Sequence, residues 1–241
     1  MIRSAVVAAV VVMMVGLAVP EIAGARPKPQ KRATWRRPSV KPLVPVATQT
    51  TWPRKEVMDL AEKAWRCGKD AGAFQGPLLT VIDYSLPSTA RRFWVLDMVR
   101  RRVLFHELVA HGEGSGDNYA SDFSNEPGSR QTSIGLFRTD TVYRGGNGYS
   151  LRLEGLEPGV NDLAMERRIV MHGASYVSER AVSALGRLGR SWGCPALAKG
   201  THKQVIDRIK GGTAVFSYYP DARWLRTSRY LKCGAVRVAN R

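Results

Sequence analysis

The chain is short of acid, cysteine and histidine, and each shortage excludes something. Among 241 residues, 20 are Asp or Glu against 37 Lys or Arg, so the formal net charge is +17. There are three cysteines, Cys67, Cys194 and Cys233, and four histidines. No C-x-x-C or H-E-x-x-H pattern occurs, and His106 and His111 fall on opposite faces of any one extended strand, so a zinc site shared with His172 is not expected. The acidic stretch Asp117 to Asp122 lacks calcium-loop spacing. No metal and no cofactor is expected. Helix-turn-helix, zinc-finger and RNP-like signatures are missing, and the six tryptophans are too scattered for a stacking platform, so nucleic acid is not the expected partner of the positive charge. Internal repeats are also missing.

After residue 25 no run is apolar enough to span a bilayer. The one such run is at the start. Arg3 opens it, Ser4 to Val19 is uncharged, and Ala23-Gly24-Ala25 offers small residues for cleavage, so residues 1–25 are expected to be a signal peptide, with a membrane anchor as the alternative. Residues 26–50 hold Arg26, Lys28, Lys31, Arg32, Arg36, Arg37 and Lys41, five prolines and no acid, the composition of a disordered basic linker. Setting those seven cations aside leaves about +10 on residues 51–241. That charge on an exported monomer in the periplasm or cell envelope suggests an anionic wall polymer or membrane surface as partner. In an oxidising compartment an odd cysteine count favours one disulfide and one free thiol. Cys67 precedes the first strand and Cys233 lies near the C-terminus, so these two are expected to pair, with two free cysteines as the alternative. Cys194 is free either way.

Pro53 to Arg66 has helical spacing, with Val57, Leu60, Ala61, Ala64 and Trp65 on one face. Strand-like runs follow at Leu79–Tyr84, Phe93–Asp97 and Val103–Val109, the last two joined by a hairpin across Arg100 to Arg102 that lacks the usual Gly or Asn. Gly112 to Thr132 is a long polar loop, of the kind that is usually functional or mobile. Strands return at Ser133–Phe137, Tyr149–Leu153, Ile169–His172 and Thr213–Tyr219. Helices are expected at Tyr176–Leu185 and Lys203–Lys210, the second with Thr201 and Gln204 as a capping box and Gly211 as its stop. The pattern is mainly β, a sandwich or barrel with a few peripheral helices.

Cys194 lies between Gly193 and Pro195, which suits a sulfur exposed on a tight turn better than a core position. His172 ends a strand-like run, and Gly173 permits a sharp exit there. The 21 residues between His172 and Cys194 leave room for a short helix and a return, so the two side chains can meet. Thiol plus imidazole is the minimum for acyl transfer through a thioester. Backbone N–H groups of Gly193 and Cys194 are candidate oxyanion donors. The plain alternative is a small buried cysteine and a hydrogen-bonded structural histidine. His111 also precedes a Gly; it is either a cleft residue beside the long loop or a strand-end histidine with a backbone partner. His202, at a helix start, is expected to be solvated.

Several segments in order carry a family resemblance from about Leu78 to Asp221. They are Leu79 to Ser88, Val109-Ala110-His111-Gly112, Tyr149 to Leu153 with Gly155-Leu156-Glu157-Pro158-Gly159, Ile169 to Gly173, and Gly186 to Leu197 with its Arg190-Ser191-Trp192-Gly193-Cys194-Pro195 core. Together they resemble the YkuD-like L,D-transpeptidases of bacterial cell walls, and in particular the murein L,D-transpeptidase catalytic domain branch. The broader family's Ser/Thr-His-Gly-Cys stretch is met at Ser191, Gly193 and Cys194, with Trp192 in place of its second His and Ala196 in place of its downstream Asn. The resemblance implies a β-rich catalytic domain and peptidoglycan stem peptides as partners. Cys194 would attack the carbonyl at the diamino acid, D-Ala would leave, His172 would shuttle the proton, and an amine would complete a 3→3 cross-link. Ser191 and Arg190 are then candidates for positioning His172 or a substrate carboxylate, and Tyr149 and Trp192 for walling the cleft. An L,D-carboxypeptidase or endopeptidase on the same stems, and a non-catalytic wall-binding module, are the competing readings.

Overall fold

Leu78–Asp83 shows no polar alternation, the pattern of a strand covered on both faces. The computed structural model describes residues 51–233 and buries all six of these residues. The readings for residues 1–25 and 26–50 lie outside the described residues. In chain order the elements are α1 (Lys55–Asp70), β1 (Leu78–Asp83), β2 (Phe93–Asp97), β3 (Arg102–Glu107), β4 (Val109–Ala110), a 3-10 turn (Glu113–Ser115), β5 (Gly135–Gly145), β6 (Gly148–Gly155), β7 (Val170–Ala174), α2 (Glu179–Leu185), β8 (Ala196–Ala198), α3 (His202–Ile209), β9 (Ala214–Tyr218), α4 (Ala222–Thr227) and α5 (Arg229–Lys232). Mainly β with peripheral helices is the architecture found.

Among the described residues the strands form one sheet in the order β3-β2-β1-β9-β5-β6-β7-β8-β4. β3 and β4 occupy opposite edges of that ladder, yet only Leu108 separates them in sequence. A single residue advances the chain by only about 3.8 Å. The sheet must therefore roll until its edges meet, which makes it barrel-like. This corrects the expectation of one continuous strand over Val103–Val109: the run changes partners at Leu108, from β2 to β8. The hairpin between β2 and β3 manages without glycine because Arg101 itself takes the left-handed conformation (φ 51°). Asp97 stabilises the turn by accepting the Arg100 N–H at 2.9 Å.

Alternate residues of the strands feed two cores. On one side α1 lays Val57, Met58, Ala61 and Ala64 against Leu79, Val81, Trp94, Leu96 and Phe216. On the other, Ile82, Phe93 and Val95 meet Leu151, Met171, Cys194, Val205 and Ile206. Each fully buried Val, Leu, Ile or Phe contributes about 1.5–3 kcal/mol. A disulfide joins Cys67 of α1 to Cys233 just after α5, across 166 residues of sequence, and Cys194 is the free cysteine.

α3 begins after Thr201 as expected, but the capping box does not form. Thr201 has helical dihedrals (φ −117°, ψ −23°), its side chain makes no cap hydrogen bond, and its buried Oγ1 has no partner. A proper N-cap needs an extended backbone to aim its oxygen at the first N–H groups. Ser178 before α2 and Asp221 before α4 have that geometry and accept from Ala181 and Trp224.

Candidate active site

β7 and β8 run parallel with His172 paired to Ala196 and Gly173 to Leu197. The chain enters β8 through the Gly193-Cys194-Pro195 turn, and the His172 N–H donates to the Pro195 carbonyl at 3.4 Å. His172 and Cys194 thus lie on neighbouring segments, as their spacing allows. No hydrogen bond joins their side chains among the described residues. The sulfur, expected to be exposed on the turn, is buried against the second core; it accepts from the Val170 N–H at 3.4 Å and faces the Arg168 carbonyl at 3.7 Å.

The turn is braced by its own polar groups. Ser191 is buried. Its hydroxyl donates to the Cys194 carbonyl at 2.6 Å and accepts the Gly193 N–H at 3.2 Å. Two expectations change here. Ser191 positions the cysteine's backbone, and no contact ties it to His172. The Gly193 N–H is already engaged, whereas the Cys194 N–H makes no hydrogen bond among the described residues. Gly193 is a glycine by necessity: its φ is +114°, and a Cβ would lie 2.7 Å from the Gln131 carbonyl. The segment leading into the turn is pinned as well. The Ser191 N–H donates to the His111 carbonyl and the Glu113 N–H to the Ser191 carbonyl, at 3.0 and 2.8 Å.

His111 itself belongs to the interior. It is fully buried, with Nδ1 accepting from Arg92 at 2.7 Å and Nε2 donating to the Gly116 carbonyl at 3.3 Å. The cleft reading for His111 is therefore corrected to a strand-end histidine with a backbone partner. Burial, then the neighbouring Arg92 charge, push its pKa down to about 4. Arg92, buried too, gives its remaining donors to the Leu86 and Val109 carbonyls.

Two arginines from outside the long loop bond to it. Arg167 bonds the Ser124 and Gln131 carbonyls at 2.6 and 2.7 Å. Arg190 reaches the Gly116 carbonyl at 3.0 Å and Asp117 at 2.9 Å, so it braces the loop's first turn. Arg130 pairs with Glu113 and lies 4.8 Å above the Trp192 ring. Trp192 is 71% exposed, so it stands on the rim and walls no closed cleft.

The His172 side is open. A cavity of about 510 Å³ is lined by Tyr149, His172, Gly173, Tyr176, Lys199 and His202 among others. Tyr149 donates to Asp207 at 2.6 Å. Gly173 stays inside β7 and makes no sharp exit. Its missing side chain makes room for His202, whose ring would be 2.6 Å from a Cβ there. His202, at the start of α3, is half-buried and lines this open cavity. Neither Lys199 nor Arg167 carries a local sequence signal for its place here. The one local sign of His202 was the glycine beside His172.

His172 Nδ1 lies 3.3 Å from the Gly173 carbonyl. A carbonyl only accepts, so Nδ1 carries the proton and Nε2 keeps its lone pair. Burial lowers the His172 pKa, with the nearby His202 adding to the effect and the Gly173 bond opposing it. Burial raises the Cys194 pKa, opposed by the Val170 N–H and the Arg167 charge. At neutral pH the pair is therefore a thiol and a neutral imidazole, the starting state for general-base activation.

Residues 50–218 match the model of a family described as the L,D-transpeptidase catalytic domain. The chain belongs to that family. Solved structures similar to this L,D-transpeptidase domain include one from Mycobacterium smegmatis, at 15% identity, 59% of each chain covered and TM-score 0.38. L,D-transpeptidase 1 from Mycobacterium tuberculosis is 17% identical, over 58% of this chain and 60% of that one, with TM-score 0.32. An L,D-transpeptidase from Stackebrandtia nassauensis is 15% identical, over 69% and 67%, with TM-score 0.35. The chain spans about three fifths of the length of the two mycobacterial proteins. No curated protein matches it.

Proposed function

We propose that this L,D-transpeptidase domain is a cysteine acyltransferase that forms 3→3 cross-links in peptidoglycan, with Cys194 as nucleophile and His172 as general base and acid. The observation that carries the proposal is the family match over residues 50–218 together with a free cysteine on a glycine turn beside the strand that bears His172. In the first step the thiol rotates away from the Val170 N–H, and His172 Nε2 takes its proton. Sγ bonds to the stem carbonyl at the diamino acid. The uncommitted Cys194 N–H is the proposed donor to the developing oxyanion. The amide C–N bond to D-Ala breaks, His172 gives its proton to the departing amine, and a thioester remains. In the second step an amine of another stem attacks the thioester, passes a proton to His172, and the thiol is restored as the new amide forms.

The proposed location is outside the cytoplasmic membrane, reached through residues 1–25 as signal peptide, with residues 26–50 as a basic tether to anionic wall or membrane. The Cys67–Cys233 disulfide is consistent with an oxidising compartment. The test is product analysis after incubating the protein, without residues 1–25, with a disaccharide-tetrapeptide. Loss of D-Ala with a 3→3 dimer supports cross-linking. Free tripeptide alone makes water the acceptor and the protein a carboxypeptidase.

A further inference from the structure

The cavity beside His172 is positively charged and lacks a counter-charge. Lys199 points no ion pair at any carboxylate among the described residues, and no Asp or Glu lines the cavity. The nearest acid on α3, Asp207, is already satisfied by Lys210 at 2.8 Å and by the Tyr149 hydroxyl at 2.6 Å. The titratable groups that line the cavity are thus His172, His202, Tyr149, Tyr176 and Lys199, and behind Tyr149 the ionised Asp207 is paired with Lys210. His202 lies 3.0 Å from the Lys199 carbonyl through Nδ1, so its Nδ1–H is committed and Nε2 remains free to meet a ligand. Lys199, just after β8, and His202, at the start of α3, put one ammonium and one imidazole ring on the lining of the same cavity, donor types that a carboxylate takes.

We propose that this cavity is a carboxylate subsite in which Lys199 and His202 hold a carboxylate of the peptide substrate beside His172. The inference rests on the acyltransferase reading above and deepens it. With its Nδ1–H committed to the Lys199 carbonyl, the ring reaches a carboxylate only with Nε2 as a second N–H donor. A peptide stem offers this chemistry from two places, its terminal carboxylate and the side-chain carboxylate near the scissile bond, and amidation of one or the other distinguishes them.

The test separates binding from turnover by using the Cys194→Ala protein. Its affinity is measured by calorimetry for three tetrapeptide stems: the free acid, the terminal amide and the side-chain amide. NMR of the His202 ring reads proton uptake. The expected result is that one amide binds about five- to tenfold more weakly than the free acid, as an exposed charge pair allows. Lys199→Gln weakens the free acid by the same factor and removes the discrimination, while His202 takes up a proton with the free acid alone. Equal binding of all three stems, discrimination that survives Lys199→Gln, or no stem binding to folded protein would overturn the subsite. Turnover by the unaltered protein then decides the acyltransferase reading separately, since stems can be turned over without this selectivity.

Discussion

The Cys194 turn and the His172 cavity sit on neighbouring segments and are built in opposite ways. At the turn nearly every polar group is committed. Ser191 holds both the Gly193 N–H and the Cys194 carbonyl through its hydroxyl, and its backbone is bonded to His111 and Glu113. In the cavity the Nε2 atoms of His172 and His202 and the ammonium of Lys199 have no protein partner among the described residues. A braced turn fixes the backbone from which the Cys194 thiol swings toward the substrate. An open cavity leaves donors for the substrate. The lesson is that fold stability and chemistry are separable here: changes on the cavity side should strike activity, and changes on the turn side should strike both.

The largest test of that separation is His172→Gln. Loss of the general base lowers kcat/KM by about 100- to 10,000-fold, while the thermal midpoint stays close to that of the unaltered protein. A parallel collapse in stability would remove the contrast. The acid limb of kcat/KM sharpens it further. Because the His172 pKa is lowered, the base stays neutral to below the ordinary value of about 6.5, so the limb should fall under that value.

Next comes pH-dependent stability on the turn side. His111 has a pKa of about 4 when folded and about 6.5 when unfolded. The unfolded chain therefore binds more protons between those values. Stability from this group is complete above about pH 6.5 and declines as pH falls toward 4, by about 3 kcal/mol in all. Urea midpoints across that window check the slope, which should shrink in His111→Gln. A slope unchanged by that substitution would place the titrating group elsewhere.

Ser191→Ala leaves the Gly193 N–H and the Cys194 carbonyl without a side-chain partner. A loss of about 1–3 kcal/mol is expected, together with a changed rate of Cys194 alkylation by iodoacetamide. Trp192→Ala is the smallest change. It removes a stacked cation contact on the rim, about 0.5–1 kcal/mol, and stability measured by urea unfolding should barely move.

Much of this was legible in the sequence, and the misses share a cause. Apolar runs marked most of the strands, helical spacing marked α1, and the Gly-Cys-Pro turn after a strand-end His marked the pair. Two strands could not be read. β4 is two residues long and β8 three, and they pair through contacts between residues 88 positions apart at Val109 and Leu197 and 86 apart at Ala110 and Ala196, which no local pattern carries. The same holds for His202, which reaches the cavity because α3 packs against β7, and for Lys199 in the turn between β8 and α3. Gly193 and Gly173 were visible as glycines. What each makes room for, the Gln131 carbonyl and the His202 ring, belongs to tertiary structure. Thr201 shows the reverse error: the residue type for a cap was present, but its backbone angles were set by packing.

The central claim is that Cys194 carries the acyl group, and intact-protein mass spectrometry after mixing with a tetrapeptide stem tests it most directly. The account predicts an adduct of tripeptide-stem mass that maps to Cys194, disappears with hydroxylamine and is not formed by Cys194→Ala. A folded protein that releases D-Ala without any adduct on Cys194, or a Cys194→Ala variant that retains turnover, would contradict it.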